Sequence, residues 1–337
     1  MKITVIIQRV TRTAVMSFLM TTIGIYSNTN AGAQAPPRTT DAESANPIIM
    51  QKLNNRAIAR PVLDINSEYP ELKPNLSPSG DRLYFSRFKH PGNHGTSDLE
   101  DIWFAEFDST TLTWSEPAVL DGTLNNEGPN YINNITLTGD TVLLGNRYSK
   151  KGKMSAGVSI SVRENNTWSE PQAIEIKNEY NIAAHGNFFL GTHGVILSAV
   201  ERDGTRGSRD LYVSFWNGKQ ATRPINLGNT INSELEESSP FLSEDNKTLF
   251  FASKGHSGFG GFDIYVSERL DDTWQNWSEP KNLGSAINGP FDEQFFSVSA
   301  KAQCAFFSKQ VTGGNDDIYQ IRLDDLFFSD VVATAFR

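Results

Sequence analysis

Acidic and basic side chains recur at matched places along this chain, and their spacing is what could support chemistry. Counting back from a short apolar run, Glu71, Glu237 and Glu293 fall at one position in three units, where two further units carry Asn130 and Ala183. Just beyond the same runs stand Arg87, Arg147, Lys254 and Lys309, in registers that differ by one residue. The start of one strand and the end of its antiparallel neighbour share an edge, so these acids and bases gather around one mouth of any axis the units surround. Two chemistries fit. Cross-strand ion pairs would register the hairpins, each contributing a few tenths to about 1 kcal/mol. Alternatively, carboxylates from separate units would act as an acid and base pair on a glycosidic bond, with Glu71, Glu237 and Glu293 as catalytic candidates.

A charge repeated in most units belongs more naturally to a scaffold, since catalysis needs one site and symmetry supplies copies. Exceptions to the repeat are better candidates for binding. Unit three has Ala183 in place of the glutamate, His185 nearby, and Glu201-Arg202 after its apolar run, while unit two has Asn146-Arg147-Tyr148 there. The ligand-binding candidates are therefore Arg87, Arg147, His185, Arg202, Lys254 and Lys309, with drift in tolerant units as the competing explanation.

Other motifs are weak. His90 and His94 have helical metal-pair spacing, but Pro91, Gly92 and Gly95 oppose a helix. Gly258-Phe259-Gly260-Gly261 lacks the helix a phosphate cradle requires and suits a turn. No nucleophile elbow, HExxH or P-loop is present, and neither a metal nor a cofactor is expected. The single cysteine, Cys304, adjoins an apolar run and suits packing rather than nucleophilic attack; one cysteine also excludes an internal disulfide.

The elements that must position these residues follow from two rulers. Pro61, Pro117, Pro171, Pro224 and Pro280 recur with a period of about 55 residues, and Asn66, Asn125, Asn178, Asn232 and Asn288 follow them in step. Both count five units, each too small to bury its apolar faces alone. Within a unit, a tight turn such as Ser79-Gly80-Asp81 or Asp245-Asn246 precedes a run such as Leu83-Tyr84-Phe85, Leu249-Phe250-Phe251 or Ala305-Phe306-Phe307. These runs lack polar alternation, so both faces of the strand are buried. Then come Asp101-Ile102-Trp103, Asp210-Leu211-Tyr212, Asp263-Ile264-Tyr265 or Asp317-Ile318-Tyr319, and a Trp-Ser-Glu-Pro segment (114–117, 168–171, 277–280) whose proline suits an outermost edge strand.

The expected fold is all-β: a five-bladed β-propeller of four-stranded antiparallel blades. Repeats lie near 67–121, 127–174, 180–227, 234–283 and 290–323 within a domain spanning 47–323. The fifth unit lacks a Trp-Ser-Glu-Pro element, so a closing strand at about 56–63, around Ala59-Arg60-Pro61, is expected to complete it and leave no edge bare. Ahead of the domain, Lys2, Arg9 and Arg12 precede an apolar stretch from Ala14 to Ile25 and the small residues Ala31-Gly32-Ala33, the layout of a signal peptide over 1–33. The stretch is short of the roughly 20 residues a spanning helix needs. A polar linker over 34–46 and a tail over 324–337 flank the repeats. Cleavage would take three positive and no negative charges, moving the net charge from −9 to −12, which disfavours nucleic acid and anionic lipid as partners.

The units resemble the WD40-like β-propeller repeat of TolB-type periplasmic proteins, most closely the form in envelope proteins of Bacteroidetes-type bacteria, where it precedes an OmpA-like domain. The residues that carry the resemblance are Ser77 to Asp81 with Leu83 to Ser86, Ser239-Pro240 with Leu249 to Phe251, Gly261 to Tyr265, Trp277 to Pro280 and Ile287-Asn288. The resemblance implies binding of a protein or envelope ligand without catalysis, and brings no catalytic set with it. The expectation is an exported, periplasmic or secreted monomer, without a membrane span after cleavage, that binds an envelope protein or component through one face of the ring. The alternatives are a carbohydrate-active enzyme and a glycan-binding protein using the mouth carboxylates.

Overall fold

The computed structural model describes residues 58–94, 100–149, 154–165, 167–183, 185–299 and 301–325. The signal segment, the linker, the start of the 56–63 segment and most of the 324–337 tail lie outside these residues. Each apolar run forms the second strand of a blade, and five sheets of small antiparallel strands make a five-bladed propeller. Blade one comprises Glu71–Leu76, Arg82–Phe88, Glu100–Asp108 and Ala118–Val119. Blade two comprises Ile132–Ile135, Thr141–Tyr148, Met154–Glu164 and Gln172–Ala173. Blade three comprises Asn187–Leu190, Val195–Val200, Asp210–Phe215 and Ile225–Asn226, and blade four Glu237–Leu242, Thr248–Ser253, Asp263–Glu268 and Lys281–Asn282. Blade five comprises Glu293–Ser299, Cys304–Gln310, Asp316–Arg322 and, from the other end of the chain, Arg60–Pro61. The hairpin turns between first and second strands use positive φ, at Gly80 (81°) in blade one and at Asn246 (57°) in blade four.

The unbroken apolar runs matter because alternate side chains leave the sheet on opposite faces. Leu249 and Phe251 point to blade three, packing with Leu197, Leu211 and Val213, while Phe250 joins Phe296, Ala305 and Phe307 of blade five. The same division places one apolar cluster at each of the five blade junctions. Closure of the ring is carried by Arg60 and Pro61, which pair with Gln320 and Tyr319, two strands from Phe306. Flanking bonds extend the splice: the Val62 N–H donates to the Ile318 carbonyl and the Ala59 N–H to that of Ala286, both at 2.9 Å.

The asparagine ruler has a definite cause. Each fourth strand covers only two residues of the third, and the backbone beyond it needs a partner. Asn288 supplies one: its Oδ1 accepts the Ile264 N–H at 2.8 Å and its Nδ2 donates to the Ile264 carbonyl at 2.9 Å. Asn66 clamps Ile318, Asn125 clamps Ile102 and Asn232 clamps Leu211 in the same way. Asn178 is exposed, in the unit that departs most from the pattern.

The Trp-Ser-Glu-Pro segment is the outermost strand only in part: Thr113–Trp114 and Thr167–Trp168 pair with the end of the third strand, and Trp277 bridges to Arg269. Its serine caps the end of the third strand, as Ser278 does by accepting the Glu268 N–H on its hydroxyl and donating its own N–H to the Glu268 carbonyl. A second stretch of outer strand begins after the proline, at Ala118, Gln172 and Lys281. The proline therefore turns the chain into that strand without having to occupy it.

The axis is bound by side chains rather than by strand pairing. Asn75 donates to the Ile132 carbonyl, Asn134 exchanges two bonds with Leu190, the Ser238 hydroxyl lies between Asn187 and Gln294, and Ser297 donates to the Pro74 carbonyl. At least one polar link thus crosses every junction. Replacing Asn288 by Ala should cost about 1–3 kcal/mol, because the buried Ile264 N–H loses its acceptor while the Ile264 carbonyl keeps the Leu283 N–H. Asn178→Gly, which accepts the φ of 53° found there, should leave stability within about 0.5 kcal/mol of the parent; comparison of the two by denaturant unfolding checks the clamp.

Candidate functional site

The three repeated glutamates stand at the starts of the innermost strands of blades one, four and five, and all are 0 % exposed. Each binds a loop and a strand end within its own blade. Glu71 accepts the Ser67 N–H and hydroxyl and pairs with Arg87 Nε at 3.0 Å. Glu237 accepts the N–H and hydroxyl of Ser233 and the hydroxyl of Ser253 at 2.8 Å. Glu293 accepts the Gly289 N–H and pairs with Lys309 Nζ at 2.9 Å. Burial raises all three carboxyls, Glu71 and Glu237 to about 7, against the pull of these donors. The acidic group acting on each is the aspartate opening the preceding blade's third strand, Asp317, Asp210 and Asp263 respectively.

Those aspartates have a positioning task of their own. Asp263 accepts the Phe259 N–H at 2.5 Å, Asp210 that of Arg206 at 3.2 Å, and Asp101 that of His94 at 2.6 Å, so each holds the loop leading into its strand. His94 also bonds Asp101 through Nδ1, whereas His90 stacks between Tyr69 and Trp103. The two histidines therefore serve different packing roles. Among the described residues, no group of three or more His, Cys, Asp or Glu side chains is arranged to hold a metal. Cys304 is buried in blade five, where lack of water pushes its thiol up to about 12.

The basic candidates divide into two sets. Arg87 and Lys309 sit directly opposite Glu71 and Glu293 in the strand register, the cross-strand arrangement that the spacing predicts. Lys254 is one step past register, because Ser253 stands opposite Glu237, and it pairs instead with Glu236 at 3.0 Å. Glu236 is shared with Arg209 of blade three at 2.6 Å. The irregular units bring Arg147 and Arg202 into one electrostatic neighbourhood: Arg147 pairs with Glu175 and Glu179, and the charge of Arg202 acts on Glu179. Arg202 is 7 % exposed, lies between the rings of Tyr180 and Tyr212, and has a buried Nη1 with no hydrogen-bond partner. His185 is exposed beside this cluster in sequence.

At the axis the structure adds residues that the spacing did not single out. Lys73, with φ at 55°, pairs with Glu100 at 2.6 Å and lies 4.2 Å from the Tyr131 ring centroid and 4.9 Å from that of Phe295. The cavity it lines with Asn133, Phe189, Ser239 and Phe295, contributed by all five blades, has a volume of about 20 Å3. That is room for about one water and far too little for a sugar ring. Only one feature marked Lys73 beforehand: a lysine in the strand where other units have small or apolar residues.

No protein-family model matches the chain, and no curated protein sequence does. Solved structures that resemble it include TolB from Acinetobacter baumannii, at 12 % identity and a TM-score of 0.45, covering 77 % of this chain and 56 % of that one. A protein of unknown function from Dyadobacter fermentans matches at 14 % identity and a TM-score of 0.46, covering 83 % and 85 %. The α-L-arabinofuranosidase PaAbf62A from Podospora anserina matches at 12 % identity and a TM-score of 0.46, covering 82 % and 94 %. At these values the likenesses carry no argument about what this chain binds or does.

The raised carboxyl of Glu237 has a consequence for pH. It faces Ser233, Ser253 and Asp210 and no cation, so the folded chain holds its proton more tightly than the unfolded chain. Its contribution is full below the unfolded value of 4.5 and is lost as the pH rises through about 7. The expected outcome is a higher Tm at about pH 5 than at about pH 8, with the gap narrowed in Glu237→Gln; thermal melts across that range check it.

Proposed function

We propose that this chain is an exported, non-enzymatic binding module that recognises a protein of the cell envelope through the glutamate-bearing face of its ring. What carries the reading is that the repeated carboxylates are consumed inside their blades and the lumen is closed, while the loops above them expose apolar side chains. Tyr180 and Ile182 lie between blades two and three, Leu235 between three and four, Phe259 within four, and Phe291 between four and five. Ile182 is 63 % exposed and Leu235 54 %.

These loops touch one another. Gly207 lies so close to Leu235 that an added Cβ would meet its carbonyl oxygen at 1.4 Å, and one added at Gly260 would meet the Gly289 carbonyl oxygen at 2.3 Å. The apolar residues therefore form an arc over blades three to five rather than scattered points, the form in which exposed apolar surface signals an interface. Lys254 and the Arg206–Glu234 pair border it with charges of both signs. Export is supported by the basic, apolar and small-residue order of the first 33 positions.

A hydrolytic role for Glu71, Glu237 and Glu293 would require three unexposed carboxylates to reach a substrate. Their raised values, which a general acid also shows, follow here from burial. A photo-crosslinking residue at Phe259 should capture one envelope protein, whereas the same residue at Leu137, on the opposite face, should not. Leu235→Glu should abolish the adduct while leaving the melting curve intact. Equal adducts from both positions, or release of reducing sugar from a glycan panel that Glu71→Ala, Glu237→Ala and Glu293→Ala each reduce, would refute the reading.

A further inference from the structure

We propose that the cleft between blades one and two, on the face away from the glutamates, binds a carboxylated sugar, one uronic acid residue of a glycan. The cleft has a volume of about 320 Å3, at the lower end of the range for small-molecule sites. The hairpin turns of the two blades form its lip, and Glu106, Phe107, Arg163 and Trp168 form its wall. At the corresponding place between blades three and four, the turns are tied together, with Asn246 Nδ2 donating to the Thr192 hydroxyl at 2.8 Å and that hydroxyl donating to the Glu244 carbonyl. The junction of blades three and four is therefore closed at the place where this one is open.

Two arginines line it, and only one is satisfied. Arg82 pairs with Glu106 and lies over the Phe104 ring at 4.7 Å. Arg163 has no carboxylate partner among the described residues, faces the Trp168 ring at 5.8 Å, and has a buried Nε without a hydrogen-bond acceptor. The Nε is turned away from water, but Arg163 as a whole is half-buried and lines the cleft, so its terminal amines are the donors a carboxylate with two acceptor oxygens would engage. Beside it, the half-buried Trp168 and Phe107 add apolar ring surface for the C–H side of a pyranose, and Ser77, Ser79 and Thr138 at the lip, which donate to Asp81 and Asp140, keep lone pairs for sugar hydroxyls.

A peptide carboxylate fits less well. An extended peptide needs an open strand edge, and the edges here are taken: Phe107 and Asp108 pair with Trp114 and Thr113, and Arg163 and Glu164 with Trp168 and Thr167. With a net charge of −9, the chain as a whole does not attract anions. Selection for a carboxylate therefore rests on Arg163 and its immediate surroundings. The proposal does not depend on the protein-binding face, which lies on the other side of the ring.

Titration calorimetry on the intact exported chain tests it, with trigalacturonate, the neutral galactotriose and a tripeptide as the three probes. Trigalacturonate should bind with a Kd of about 1 mM or tighter, and the neutral sugar and the tripeptide about tenfold or more weakly. Arg163→Gln should weaken trigalacturonate by about tenfold at an unchanged Tm. Thr138→Trp, which fills the lip without changing the Arg82–Glu106 pair, should do the same, whereas Glu237→Gln should have no effect. The proposal fails if no heat appears with trigalacturonate at about 10 mM, if either other probe binds as well, or if affinity survives both cleft variants.

Discussion

Each blade is apolar on both faces of its second strand, and this is the constraint from which the rest follows. A sheet such as that of blade four, with Leu249 and Phe251 on one side and Phe250 on the other, cannot be stable beside water on either flank. Five such sheets satisfy one another only when the last meets the first, because an open row leaves two bare faces at its ends. The polar links around the axis then act as spacers: they fix how closely the innermost strands approach without asking those strands to pair. The narrow lumen is the geometric result, with Lys73 and aromatic rings taking up the space that remains.

This division of labour explains why the repeated charges have so little left to offer a ligand. Glu71, Glu237 and Glu293 hold loops, and Asp101, Asp210 and Asp263 hold the loops after them. Each makes its bonds inside a single blade or at one junction. Asp263 Oδ1 still lacks a hydrogen-bond partner, and Arg202 and Arg163 each retain a buried nitrogen without an acceptor. Arg163 stands opposite Trp168 as Arg269 stands opposite Trp277 in blade four, but Arg269 is paired with Asp272. Symmetry supplies the scaffold, and the partners, more than the positions, differ where capacity is unspent.

The number of blades was legible because two residue types kept the same period, and strand burial was legible from runs without alternation. The closing strand was legible from the missing element in the fifth unit. The function of the asparagine ruler was not, since spacing shows that a residue recurs but not that its amide imitates a strand edge. The Trp-Ser-Glu-Pro segment misled for a related reason: proline tolerates an edge, but it serves equally at the turn that leads into one. Arg87 and Lys309 were correctly matched with their glutamates, whereas the one-residue offset at Lys254 turned it to a different acid. The cleft between blades one and two could not be anticipated from motifs, because Arg82 and Arg163 come from different units and meet only when the ring is assembled.

The splice in blade five also sets the order in which the molecule can be completed. Asn66 clamps Ile318, a partner 252 residues away, so a nascent chain holds the first half of its fastening long before the second half exists. Until then the terminal sheets have uncovered flanks, and no partial ring is a resting state. Loop closure over such a length makes the last step slow relative to the hairpins. A polypeptide built this way completes its ring in one late event, once the strands of blade five from Glu293 onward are available.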